Sequence, residues 1–264
     1  MDLGLSGRIA VVYAASRGLG LASARLLAEE GCDLAICSRD AIRIEAAAAG
    51  IRTATGRRVL ACAVDVSQAD AHDAFATAVR QAYGRCDVLV LNGGGPKPGT
   101  FDSLDAEAFR AAGDLLLLNP VRATKAFLPL LRSGGAGGRI IAITSTAVRE
   151  VLPNLMLSNS LRAAVTGWAK TLARELGPEG ITVNCVAPGT IGTERIAELV
   201  ASTAARQGIA EDAVRQQLLA RIPAGRFGRP EEFAAAVAFL ASQRAAFISG
   251  TTMMVDAAQT SVVA

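Results

Sequence analysis

Short apolar runs rich in β-branched residues recur along the chain, with long alanine-rich stretches between them. The runs are RIAVVYA (8–14), DLAICS (33–38), RVLACAV (58–64), DVLVLN (87–92), RIIAITS (139–145), ITVNCVA (181–187) and TTMMVD (251–256). None alternates polar with apolar residues, so both faces of each strand need cover. That pattern belongs to a parallel sheet enclosed by helices, not to an antiparallel sheet with one wet face. GLGLASARLLAEEG (18–31) carries the helical repeat and ends at a glycine. Further helices are expected over about 40–55, 69–83, 105–132 and 154–177, with helical pieces in about 193–221. PEEFAAAVAFLAS (230–242) opens with proline and two acids, as helix starts do. GGAGG (134–138) breaks the chain before the fifth strand. The economical fold is α/β, a doubly wound parallel sheet of about seven strands in a single domain over residues 1–264.

Composition narrows the function. Hydrophobic residues make up 51% of the chain but aromatics only 4%, which suits close-packed helices. No uncharged apolar run approaches the roughly 18–20 residues of a bilayer span. The start, MDLGLSGRIAVVYAAS, lacks a basic region before an apolar segment and does not read as a signal peptide. The net charge of +3 is dispersed, which gives nucleic-acid binding little support. Cys32, Cys37, Cys62, Cys86 and Cys185 are odd in number and form no C-x-x-C pair. They read as reduced core residues of a cytoplasmic protein. The only histidine, His72, is expected on an exposed helix face, and no metal site or His-based triad is expected.

In a doubly wound sheet, ligands bind beyond the carboxyl ends of the strands. After the first strand comes AASRGLG, with Ala14, Ser16, Arg17, Gly18, Leu19 and Gly20. A glycine-rich turn entering a helix offers backbone N–H groups and the helix dipole to a pyrophosphate, although a tight structural turn reads the same way. After the second strand come Ser38 and Arg39, where an NAD-specific site usually has an acid for the ribose 2′-OH. Arg17, Arg39 and Ser38 suit a 2′-phosphate instead, so NADP(H) is expected; the bland alternative is two solvated arginines. Asp65 follows the third strand, NGGGPKPG begins at Asn92 after the fourth, Thr144 and Ser145 follow the fifth, and APGTIGT follows the sixth. Ser158 and Arg162 stand four apart and share one helix face, either as cap and surface charge or as a working face.

With these blocks on the page the chain resembles the short-chain dehydrogenase/reductases, and among them the 3-oxoacyl-[acyl-carrier-protein] reductases. SRGLG, AVDVS, DVLVLNGGG, LLLLN, RIIAITS, GITVNCVAPGTIGT and GRFGRPEEFAAAVAFLAS carry the resemblance over nearly the whole length. It implies a Rossmann fold and a cofactor bound by Ala14, Ser16, Arg17, Gly18, Leu19, Gly20, Ser38, Arg39, Asp65, Val66, Asn92, Gly93, Pro188, Gly189, Ile191 and Thr193. It implies catalytic positions at Asn119, Ser145, Ser158 and Arg162, a substrate lid at about 190–225, and a homotetramer. IAELVASTAARQGIAEDAVRQQLLARIP resembles that lid, and its Ile196, Leu199, Val200, Leu218 and Leu219 suit an aliphatic substrate or ordinary packing.

The departures matter as much. Ala14 and Tyr13 stand where the family has Gly and Thr, and Ala257 and Ala258 stand where it has a Gly pair. The family's catalytic Ser corresponds to Ser145, but its Tyr falls at Ser158 and its Lys at Arg162. A serine hydroxyl is a far weaker acid than a tuned tyrosine, and arginine cannot pass on a proton. Three readings follow: an NADP(H)-dependent reductase of a ketone or 3-oxoacyl compound with an altered site, a nucleotide-binding scaffold or regulator, or an enzyme of non-redox chemistry.

Overall fold

The computed structural model describes residues 1–262 apart from 69 and 136. The first residue of the expected third helix and the centre of the GGAGG break therefore lie outside the described residues. Seven strands form one sheet: β1 (Ile9–Val12), β2 (Asp33–Ser38), β3 (Val59–Ala63), β4 (Val88–Leu91), β5 (Arg139–Ile143), β6 (Thr182–Pro188) and β7 (Thr252–Val255). Their order is β3-β2-β1-β4-β5-β6-β7 and every pairing is parallel. The order reverses between β1 and β4, where Ala10 pairs with both Leu34 of β2 and Val88 of β4. In doubly wound sheets, ligands bind at such a switch point, outside the carboxyl ends of the strands.

Helices α1 (Gly18–Glu29), α2 (Ala41–Thr55) and α9 (Pro230–Ala241) cover one face. Helices α3 (Ala71–Tyr83), α5 (Asn119–Ser133) and α6 (Met156–Leu176) cover the other. Two apolar layers result, one on Leu27, Leu34, Ile51 and Phe233, the other on Phe75, Leu89, Phe127 and Leu131. The short α4 (Ala106–Gly113) precedes α5, and α7 (Glu194–Gln207) and α8 (Glu211–Leu219) follow β6 and pack on each other. Helix boundaries follow local chemistry. Asp40 caps α2 by accepting from the Arg43 N–H, and α2 and α3 end at Gly56 and Gly84 in the left-handed region.

Two expectations need correcting, and one of the two alternatives for Ser158 falls. The helix expected over about 105–132 is interrupted: a π turn, Asp114–Leu118, lies between α4 and α5. Pro120 follows it and has no N–H to close an α-helical bond onto Leu116, so the ladder is re-registered there. Ser158 does not cap a helix, because α6 starts at Met156 and Ser158 is its third residue. His72 is not exposed. It shares the spacing of Phe75, Ala76 and Val79, the buried stripe of α3, and only 2% of its surface is accessible. All five cysteines are free, and all but the half-buried Cys62 are buried. Burial pushes the Cys32 and Cys185 thiols up to about 12, which suits their packing role.

Candidate active site

The turn between β1 and α1 is held from two sides. Ala15 donates its N–H to the Cys37 carbonyl on β2, and Asn92, just past β4, donates its side-chain amide to the Ala14 carbonyl at 3.3 Å. Gly20 packs beneath this bond. A Cβ there would lie 2.7 Å from the Asn92 amide nitrogen and closer still to the Ala14 carbonyl. Ala14 itself is held at φ 49°, in the left-handed region that favours glycine. The first turn of α1 has no side-chain cap and no acid, so among the described residues no side chain claims its N–H groups.

Arg17 does not stand free. Its guanidinium bridges Glu194 at 2.9 Å and Glu198 at 3.0 Å, both on α7. Arg39 is exposed and has no ion pair among the described residues. Ser38 donates to the Asp40 carbonyl beside it. Asp65 accepts from the Ser67 N–H and hydroxyl, which hold its carboxyl below the usual range, with a smaller contribution from Arg39. Val66 packs against the second apolar layer.

On the other side of the crevice, Thr144 donates its N–H to Val186 and so extends the β5–β6 pairing. Ser145 caps the short 3₁₀ turn Thr146–Val148 by accepting from the Ala147 N–H at 3.2 Å, which leaves its own hydroxyl proton to donate. Arg162 reaches back from α6 and donates to the Ile143 carbonyl at 2.9 Å, two residues before Ser145. No carboxylate pairs with it among the described residues, and desolvation lowers its pKa to about 10. A cation left without a counter-ion in such surroundings is costly, so it marks a place where negative charge is expected. Ser158 sits one turn earlier on α6, buried, and its hydroxyl makes no hydrogen bond among the described residues. Asn159 pins this helix start by a reciprocal pair of bonds with Leu152. Asn119 opens α5 directly after the π turn and is buried, with Arg122 donating to its side-chain oxygen.

The loop after β6 completes the rim. Gly189 donates to Val255, Ile191 bridges Gly228, and Thr193 precedes α7. Pro188 pairs with Val255 at the end of β6. Helices α7 and α8 pack mainly on each other through Val200, Ala204 and Val214, with Ile196 and Leu218 against them. Ile196, Val200 and Leu218 are therefore packing residues of this pair, while Leu199 is exposed. Neither the Arg17 pairing with Glu194 and Glu198 nor the buried contact between Tyr13 and His72 carries a local sequence signal.

Comparison with known proteins now decides the lineage. Residues 13–259 match the family described as enoyl-(acyl carrier protein) reductase. A 3-oxoacyl-[acyl-carrier-protein] reductase from Synechocystis is 34% identical, covering 96% of this chain and 96% of its own. The chain belongs to the short-chain dehydrogenase/reductase family of oxidoreductases. L-Sorbose reductase from Gluconobacter frateurii, solved with NADPH and L-sorbose, superposes with a TM-score of 0.95 at 32% identity, over 100% of both chains. An NADPH-bound short-chain oxidoreductase from Pseudomonas aeruginosa PAO1, described as containing an atypical catalytic center, gives a TM-score of 0.87 at 32% identity, over 97% of this chain and 98% of that one. Among the described residues no helix is long and apolar enough to cross a membrane.

Proposed function

We propose that this protein is an NADPH-dependent reductase of a ketone or 3-oxoacyl-type carbonyl that works with Ser145, Ser158, Arg162 and Asn119 where its family uses Ser, Tyr, Lys and Asn. The observation that carries this reading is Arg162, a guanidinium without a carboxylate partner among the described residues, anchored at the end of β5 two residues before Ser145. The NADPH-bound relatives support the cofactor, and the one with an atypical catalytic center supports cofactor binding by an altered site.

This chain's residues fit the cofactor. The uncapped start of α1 with Ser16, Gly18 and Leu19 holds the pyrophosphate, and Gly20 lets the turn close behind it. Ser38 and Arg39 hold the 2′-phosphate, with Arg17 joining them if it leaves Glu194 and Glu198. Asp65 and Val66 flank the adenine side, Asn92 and Gly93 the middle of the crevice, and Pro188, Gly189, Ile191 and Thr193 the nicotinamide side. Bound NADPH supplies the hydride. Ser145 and Ser158 donate hydrogen bonds to the substrate carbonyl oxygen, and Arg162 stabilises the negative charge that grows on it. Residues from about 190 to 225, with α7 and α8, form the substrate lid.

We also infer a homotetramer in a reducing, cytoplasmic setting. Phe247 is fully exposed just before the edge strand β7, and α6 presents exposed Ala163, Ala164 and Gly167, which allow close helix approach.

The test is a carbonyl-substrate panel with NADPH, followed by Arg162→Ala on the best substrate. Removing one preorganised electrostatic donor typically costs about 10²–10³ in kcat. Arg162→Ala is expected to fall in that range at saturating NADPH. Turnover equal to the parent would remove this arginine from the chemistry.

A further inference from the structure

Helices α7 and α8 have an apolar core of their own, built on Val200, Ala204 and Val214 and separate from the two layers that pack on the sheet. The segment that carries them is closed at its base. Gly192 donates its N–H to the Gly228 carbonyl at 2.8 Å, and Gly228 donates to the Thr190 carbonyl at 3.1 Å. An ionic tie joins α7 to the glycine turn. Arg17, the residue that precedes α1, reaches both Glu194 and Glu198 in the first two turns of α7. The second carboxylate oxygen of Glu198 lies 3.8 Å from Arg195. The Arg195 guanidinium in turn stands 3.6 Å from where a Cβ on Gly95 would lie, in the loop after β4. On the near side, the Thr193 side chain is 3.9 Å from a Cβ built on Gly18, the first residue of α1. The start of α7 therefore reaches from the glycine turn to the loop after β4. Four charges lie in one row along it: Glu194, Arg17, Glu198 and Arg195.

Two carboxylates on one guanidinium, at the positive end of a helix, bring the charge that a phosphate dianion would bring. We propose that Glu194 and Glu198 act as an internal anion on Arg17 and set the choice of cofactor: a 2′-phosphate displaces them, and a 2′-hydroxyl does not. The proposal rests on the NADPH reading given above. A phosphate matches the guanidinium fork with two oxygens and replaces the charge of both acids at once. A neutral hydroxyl replaces neither. NADPH therefore frees α7 from the glycine turn, whereas NADH leaves both bridges in place. Glu194 and Glu198 are specificity-determining residues that act through Arg17 and need touch no reacting atom. Because α7 and α8 share a core of their own and the base of their segment is closed at Gly192 and Gly228, they can part from the turn together.

Two readouts test this, and neither needs a carbonyl substrate. Amide hydrogen exchange of the full chain without nucleotide reads α7 directly. Residues 194–207 are expected to exchange faster in Glu194→Gln/Glu198→Gln and in Arg17→Gln, with no further rise when all three changes are combined. Arg17→Gln leaves both acids at the start of α7, so a rise there is not a loss of helix-dipole stabilisation. The ligand probe is 2′,5′-ADP, which carries the 2′-phosphate, against 5′-ADP, which lacks it. In the parent, 2′,5′-ADP is expected to speed exchange in α7 and 5′-ADP is not. By calorimetric titration at about 0.15 M salt, which screens distant charges, Glu194→Gln/Glu198→Gln is expected to bind 2′,5′-ADP about threefold to tenfold tighter. Its affinity for 5′-ADP is expected to change by less than about twofold. Unchanged α7 exchange in Arg17→Gln overturns the tie, whatever the nucleotides do. Faster exchange with equal 2′,5′-ADP affinity in the parent and the double variant overturns the role in cofactor choice. Faster exchange in a protein that binds neither nucleotide sinks the NADPH reading and this role with it, and leaves a structural tie alone.

Discussion

Ala14→Gly should make this protein more stable, which is the reverse of the usual effect of adding glycine. Ala14 sits at φ 49°, held there by the Asn92 amide on its carbonyl and by Gly20 packed beneath it. An alanine in the left-handed region carries roughly 1–2 kcal/mol of strain from its Cβ. Glycine relieves that strain but gives the unfolded chain more freedom, worth about 0.4–1 kcal/mol in the opposite direction. The central values leave a gain of about 0.8 kcal/mol, within limits of about 0 and 1.6. For a chain of this size 1 kcal/mol moves the midpoint by about 2–4 °C, so the expected rise is about 1–4 °C.

Thermal unfolding followed by circular dichroism at one fixed protein concentration measures this, since subunit association also shifts the midpoint. Ala15→Gly is the control: Ala15 is buried, lies outside the positive-φ set, and should lose stability. Ala257 and Ala258, at φ 52° and 59°, are exposed and should also gain from glycine. A midpoint that falls in Ala14→Gly, or matches the parent, would refute the strain argument. On the proposed cofactor reading, the same substitution is expected to tighten NADPH binding, because the methyl would crowd the turn that holds the pyrophosphate.

Two further outcomes are expected. Arg39→Asp should weaken NADPH more than tenfold while sparing NADH, measured by fluorescence titration; equal losses for both cofactors would show that Arg39 does not meet the 2′-phosphate. Multi-angle light scattering at micromolar concentration should give four times the chain mass, and Phe247→Asp should reduce it; a stable monomer would remove the tetramer.

Most of the architecture was legible because its signals are local and repeated. Seven unbroken apolar runs and the helices between them dictate a covered parallel sheet, and the structure differs by a few residues at most ends. The π turn was not legible, because a single proline after a leucine run is also compatible with a kinked α-helix. The burial of His72 follows from its spacing and not from its polarity. Positions 72, 75, 76 and 79 lie on one helix face, and three of the four are apolar. The Arg17 bridges span 177 and 181 residues, a separation across which no local pattern carries information.

That last contact changes how the crevice should be understood. Taken from the sequence, Arg17 and Arg39 are two equivalent guanidiniums for one phosphate. In the fold they are not equivalent. Arg39 is exposed with no ion pair among the described residues, whereas Arg17 must leave two carboxylates of α7 before it can meet an anion. Exposed ion pairs of this kind are each worth about 0–1 kcal/mol, so a phosphate can outcompete them. The exchange would cost α7 its tie to the glycine turn. On the proposed reading, the cofactor phosphate and α7 would compete for the Arg17 guanidinium, and Arg39 would carry the larger share of a preference for NADPH.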